Sequence, residues 1–172
     1  MAIWYEVEKT EAGIYNFMEG NWHFHDFRIE KIEYIQEMSM VNYLLIYDDE
    51  KHGVILKFDN VSGLGIRVCD DYLTDYLYGC KCVIKDGHFF WYDAEDLKPG
   101  DINTIKRYCN WVECERIYWA VTDGYGTPTE MPDDRIDQVW NVWGKTEYHH
   151  FDFPEYKGPV TSIESTKWKQ WK

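Results

Sequence analysis

Tyr43-Leu44-Leu45-Ile46-Tyr47-Asp48-Asp49-Glu50-Lys51-His52-Gly53-Val54-Ile55-Leu56-Lys57-Phe58 decides the fold class of this chain. The opening run, Tyr43 to Tyr47, is continuously apolar, too short for a buried helix and the right length for a central strand. Asp48 to Gly53 has the composition of a reversing loop. Beyond it, Val54, Leu56 and Phe58 alternate with Ile55 and Lys57, the period of two that half-buries a strand. Further on, Asp59-Asn60 and Ser62-Gly63 supply turn chemistry, and Leu64, Ile66 and Val68 alternate with Gly65 and Arg67. Residues 43–68 are therefore expected to form three antiparallel strands, a β-meander. On the other side, apolar residues fall at Phe27 and Ile29, then at Ile32 and Tyr34. The parity flips between Ile29 and Ile32, which a β-bulge accommodates by adding one residue. Residues 27–37 thus read as a bulged first long strand.

The remainder continues the pattern. Lys81 to Lys85 and His88 to Asp93 flank Asp86-Gly87, the pair a type I′ hairpin favours because both central residues need positive φ. Glu115 to Thr122 places Ile117, Trp119 and Val121 on one face and ends at the loop Asp123-Gly124-Tyr125-Gly126. Helical signals are fewer. Asp101 is a plausible N-cap, followed by Ile102, Ile105, Tyr108 and Cys109 at helical spacing. Asp70 or Asp71 would cap a short turn through Tyr72, Leu73, Tyr76 and Leu77, closed by Gly79. Residues 10–19 fit neither period cleanly. The expectation is an α+β, mainly β fold: an antiparallel β-meander sheet, as a partly open barrel or sandwich, with one or two short helices. Residues 1–156 read as a single β-rich domain. Residues 157–172 read as a polar, basic C-terminal arm carrying Lys167, Lys169 and Lys172.

Composition narrows the function. The chain has 172 residues, enough for one domain with a real core. Its hydrophobic content of 45% and charged content of 28% are those of a globular protein, not a disordered one. Aromatics reach 18%, and 31 acidic residues face 18 basic ones, for a net charge of −13. That balance argues against DNA or RNA as a partner, since phosphate contacts need clustered Lys and Arg. It disfavours an anionic membrane surface for the same reason. The N-terminus begins Ile3-Trp4-Tyr5 and then turns acidic, without the pattern of a secretory signal. A cytoplasmic location and free thiols at Cys69, Cys80, Cys82, Cys109 and Cys114 are expected.

No catalytic signature emerges. In Trp22-His23-Phe24-His25-Asp26, an extended His-x-His pair would put both imidazoles on one face, with Asp26 as third ligand or orienting partner. The alternative is that His25 and Asp26 hydrogen-bond the backbone where the chain enters the sheet. His150-x-Asp152 starts like an iron(II) facial triad, but no later histidine completes it. The acid pairs Asp70-Asp71 and Asp133-Asp134 are cheap by chance in so acidic a chain. No cofactor and no metal are expected.

The run Asn21-Trp22-His23-Phe24-His25-Asp26, then a strand, a meander and Leu56-Lys57-Phe58-Asp59-Asn60-Val61-Ser62-Gly63-Leu64, resembles a group of small bacterial β-rich domains. They share an aromatic-His-Asp turn and alternating strands, and some are immunity proteins for polymorphic or contact-dependent toxins. The resemblance covers residues 21–68. It implies a binding protein rather than an enzyme, with Trp22, Phe24, His25 and Asp26 defining the fold. The charge points the same way, because an acidic surface with aromatic anchors suits a basic toxin cleft. The expected contacts are the acidic loops at Asp48, Asp49 and Glu50, at Asp70, Asp71 and Asp75, at Asp93 to Asp96, and at Asp133 and Asp134. The alternatives are a general protein-binding accessory domain, or a metal-dependent enzyme using His23, His25 and Asp26.

Overall fold

The computed structural model describes residues 4–67, 76–129, 153 and 156–164. In chain order it contains β1 (Tyr5–Glu6), α1 (Glu11–Gly20), β2 (His25–Ile35), β3 (Met40–Tyr47), β4 (His52–Gly65), β5 (Tyr76–Tyr78), β6 (Lys81–Lys85), β7 (His88–Tyr92), α2 (Ile102–Tyr108), β8 (Trp111–Asp123) and β9 (Thr161–Glu164). These strands form one antiparallel sheet in the order β5-β2-β3-β4-β8-β7-β6, with β1 added to β8 and β9 to β2. The fold is α+β, mainly β. β9 falls within the stretch read as an arm and pairs Lys31 to Tyr34 of β2 with Glu164 to Thr161.

The order of the strands forces the sheet to curl. β5 and β6 sit at opposite ends of the path, yet only Gly79 and Cys80 separate them in sequence. So short a link spans about 11 Å at full extension. The two ends must therefore approach each other, giving an open barrel in which no ladder joins β5 to β6 among the described residues. Trp91 of β7 shows the curvature directly. Its ring lies 5.4 Å from both Tyr43 of β3 and Phe58 of β4, although β8 separates β7 from β4 in the sheet.

The concave face carries the core. Phe27, Tyr43, Leu45, Val54, Leu56, Phe58, Trp91, Ile117 and Trp119 are buried there together. α1 packs beside β6, and its Phe17 meets Phe24 at 5.4 Å and Trp119 at 6.4 Å. The bulge in β2 occurs as the parity shift requires: the pairing with β3 slips between Ile29 and Lys31, so Ile29 and Ile32 both face inward. The Asp86-Gly87 hairpin also forms, with φ of 50° and 80° at its central residues.

Elsewhere the structure departs from the sequence reading. Asp59 to Gly63 do not make a turn. β4 runs unbroken from His52 to Gly65 along β8, with a register shift between Val61 and Gly63 and Asn60 at φ 53°. The residues that favour turns also tolerate the left-handed backbone of a bulge, and here the long partner strand β8 decides between them. Gly65 is required because the Trp111 indole lies directly on its backbone. Tyr76 and Leu77 belong to strand β5, not to a helical turn, because β2 supplies them with a pairing edge. Residues 10–19, which fitted neither period, are largely α1. Thr10 caps it by accepting the Gly13 N–H at 2.9 Å, and Ile14, Phe17 and Met18 form its buried stripe. α2 follows Asp101, whose side chain does not cap the helix but accepts the Lys98 amide at 3.2 Å; Ile105 is buried and Tyr108 exposed.

Candidate functional site

One rim of the sheet gathers several sequence candidates. α1 ends at Asn21, which is buried and donates through Nδ2 to the Phe17 carbonyl at 2.9 Å. The next residues, Trp22, His23 and Phe24, have φ of 50°, 52° and 57°. Non-glycine residues pay about 1–2 kcal/mol each for left-handed backbone, and three in succession make a tight turn of the unfavoured hand. Three contacts hold it. Phe24 N–H donates to the Asn21 carbonyl at 2.8 Å, and Cys80 N–H donates to the His23 carbonyl at 2.7 Å. Phe24 is fully buried against Phe17, Phe27 and Trp91. The turn leaves Trp22 at the surface, 36% exposed, beside Tyr47 at 5.6 Å.

The β3–β4 hairpin completes the rim. Asp48 N–H donates to the Asp26 carbonyl at 3.1 Å, tying hairpin to turn. Asp49 shapes the reversal by accepting the Lys51 and His52 amides at 2.8 and 3.1 Å, and it pairs with the His52 imidazole. Partial burial works to raise its pKa, but these donors outweigh it and hold the carboxyl below the usual range. Arg28, 2% exposed, bridges Glu30 and Glu50 at 3.3 Å each. The loop after β8 leans on the same hairpin: Gly124 sits against the Glu50 carbonyl, where a Cβ would collide. Asp123 accepts the Tyr125 and Thr127 amides at 2.9 Å, and the loop presents Tyr125 at 90% exposure.

The rim thus joins Trp22 and Tyr125 with Asp26, Asp48, Asp49, Glu50 and Asp123. Set against these are Lys51 and Arg28, the latter already spanning two carboxylates. This arrangement sets two exposed aromatic rings among carboxylates, groups able to anchor and steer a cationic partner. Tyr125 carried no functional signal in the sequence. Its place beside a glycine in a strand-ending loop marked only a turn, and its neighbourhood with Glu50 depends on the long β4–β8 pairing.

The other candidates resolve differently. His23 is in the left-handed turn, not in extended chain, and pairs with Glu19 at 2.9 Å. His25 pairs with Asp26 at 3.0 Å, both half-exposed. The premise that both imidazoles share a strand face therefore fails, and among the described residues no group of three or more His, Cys, Asp or Glu is placed to hold a metal. Cys80, Cys82, Cys109 and Cys114 are buried free thiols whose pKa values burial raises, the opposite of an activated nucleophile. Asp93 is not a free surface acid: it accepts the Asn110 amide and side-chain N–H at 2.8 and 2.6 Å. Glu95 and Asp96 nearby are exposed. Asp70, Asp71, Asp75, Asp133, Asp134, His150, Asp152 and Cys69 lie outside the described residues. Among the described residues no helix is long and apolar enough to cross a membrane. Comparison with protein families, curated proteins and solved structures finds no match to this chain.

Proposed function

We propose that this chain is a non-enzymatic protein-binding protein, an immunity protein that neutralises a basic bacterial toxin in the cytoplasm by covering its active cleft. The observation that carries the reading is the rim. A strained turn, a hairpin and a strand-end loop converge there to expose Trp22 and Tyr125 among Asp26, Asp48, Asp49 and Glu50. A toxin that acts on nucleic acid must carry a basic cleft, and an acidic inhibitor of net charge −13 is steered to it over long range. Trp and Tyr then supply the buried anchors that make such a complex last.

The test is co-expression with the toxin domain encoded beside this chain's gene. Protection of the cells, together with a complex on a sizing column, is the expected result. Unprotected cells with no complex contradict the proposal, and a complex with a non-toxic partner would assign the rim to a general accessory domain.

A further inference from the structure

A cavity lies on the convex face and reaches the loop after β8 through Gly126. Register places Glu33 of β2 opposite Asn42 of β3, and Asn42 opposite Lys57 of β4. An acid, an amide and a base therefore stand in one row across three strands. At the roughly 4.8 Å spacing between strands, the backbones of Glu33 and Lys57 are about 10 Å apart. In the neighbouring row Leu44 faces Ile55, giving an apolar floor. Trp4 and Gly126 complete a cavity of about 260 Å³ lined by these residues and Lys31. Pockets for drug-sized ligands run to roughly 300–1,000 Å³, so this one suits something smaller.

One atom of the row lacks a partner, while its two charged groups are engaged within the chain. Asn42 Oδ1 is buried and accepts no hydrogen bond, an arrangement that costs free energy unless a donor arrives. The Lys57 ammonium sits 4.8 Å from the Trp4 ring and 4.6 Å from the Phe153 ring and donates to Met40 Sδ at 3.7 Å, partly withdrawn from water. Burial lowers its pKa, and the Glu33 and Asp59 charges oppose that shift. Glu33 pairs with Lys31, and both line the cavity.

The geometry points to a binding site for a small apolar α-amino acid. Its carboxylate would meet Lys57, its ammonium would lie between Glu33 and Asn42 Oδ1, and its aliphatic side chain would rest on Leu44 and Ile55. A zwitterion offers donors to Glu33 and the orphaned Asn42 Oδ1 and acceptors to Lys57 and Lys31, which also lines the cavity. This site goes beyond the docking function of the rim and stands or falls apart from it.

The experiment is calorimetric titration of the full chain with L-leucine, with tryptophan fluorescence recorded in parallel because Trp4 forms a wall. The comparison ligands are 4-methylpentanoate, which lacks the ammonium, and 3-methylbutylamine, which lacks the carboxylate. The variants are Asn42→Leu, Lys57→Met and the milder Glu33→Gln, each checked by circular dichroism. The expected result is saturable binding of leucine, weakened roughly tenfold or more in both truncated ligands and in each folded variant. No binding of leucine at millimolar concentration would overturn the assignment. So would equal binding of either truncated ligand, or variants that bind as the native chain does.

Discussion

Asp93 is the carboxylate whose charge the fold resists most visibly. Burial raises its pKa to about 6, against the three hydrogen bonds from Asn110 and its own backbone that favour the ionised form. Asn110 in turn accepts the Arg67 amide at 2.6 Å, so the carboxylate is tied to the end of β4's continuation. Because the folded state holds this proton more tightly than the unfolded chain, its contribution to stability grows as pH falls from about 6 towards 4 and is lost as pH rises through 6. A shift of about two units corresponds to roughly 3 kcal/mol at most. Urea denaturation at pH 4, 5, 6 and 7 should show Asp93→Asn flattening this part of the stability profile, whatever its offset. At the same scale, Phe24→Ala should cost about 3–5 kcal/mol, since it removes a fully buried ring and leaves the left-handed turn without its anchor. Residue roles were only partly legible in the sequence. The aromatic-His-Asp run stood out, but that Phe24 is core while Trp22 is surface follows from three positive φ values, which no residue type there announces.

At the scale of elements, turn chemistry was the most readable signal. The β6–β7 hairpin follows from Asp86-Gly87, and nothing lies near a Cβ built at Gly87, whose φ is 80°. Gly87→Ala therefore isolates backbone strain and should destabilise the protein by about 1 kcal/mol in thermal or urea unfolding. The β2 bulge was equally legible, because a parity flip in a half-buried strand has few other solutions. The bulge in β4 was not, since Asn60 and Gly63 look the same in a turn and in a bulge. Only the length of β8 separates the two. α1 was hidden by Gly13, Tyr15 and Asn16, poor helix formers that tertiary packing overrides. Its Thr10 cap gives a direct check: Thr10→Ala should cost about 1 kcal/mol.

At the scale of the molecule, the curled sheet gives the chain two distinct outer surfaces, the acidic rim and the convex cavity. Neither was visible beforehand as a unit. The sequence marked Asp48 to Glu50 and Trp22 to Asp26 separately, and the β2–β3 pairing that joins them is long-range. The structure also sorts the acids by role. Asp49 shapes its hairpin and Glu50 holds Arg28, so reversing them tests stability as much as binding. Asp48 is exposed and ties the hairpin to the turn through its amide, and Tyr125 is 90% exposed. Asp48→Lys, with its fold checked by circular dichroism, and Tyr125→Ala are the changes to make. The first should slow association, and the second should speed dissociation. The most direct measurement of the central claim is stopped-flow association of this chain with the basic toxin domain that the proposed function requires, across a range of salt. An on-rate that falls steeply with ionic strength, and that drops severalfold at low salt in Asp48→Lys, is what an acidic docking rim predicts. An on-rate indifferent both to salt and to Asp48→Lys would contradict it.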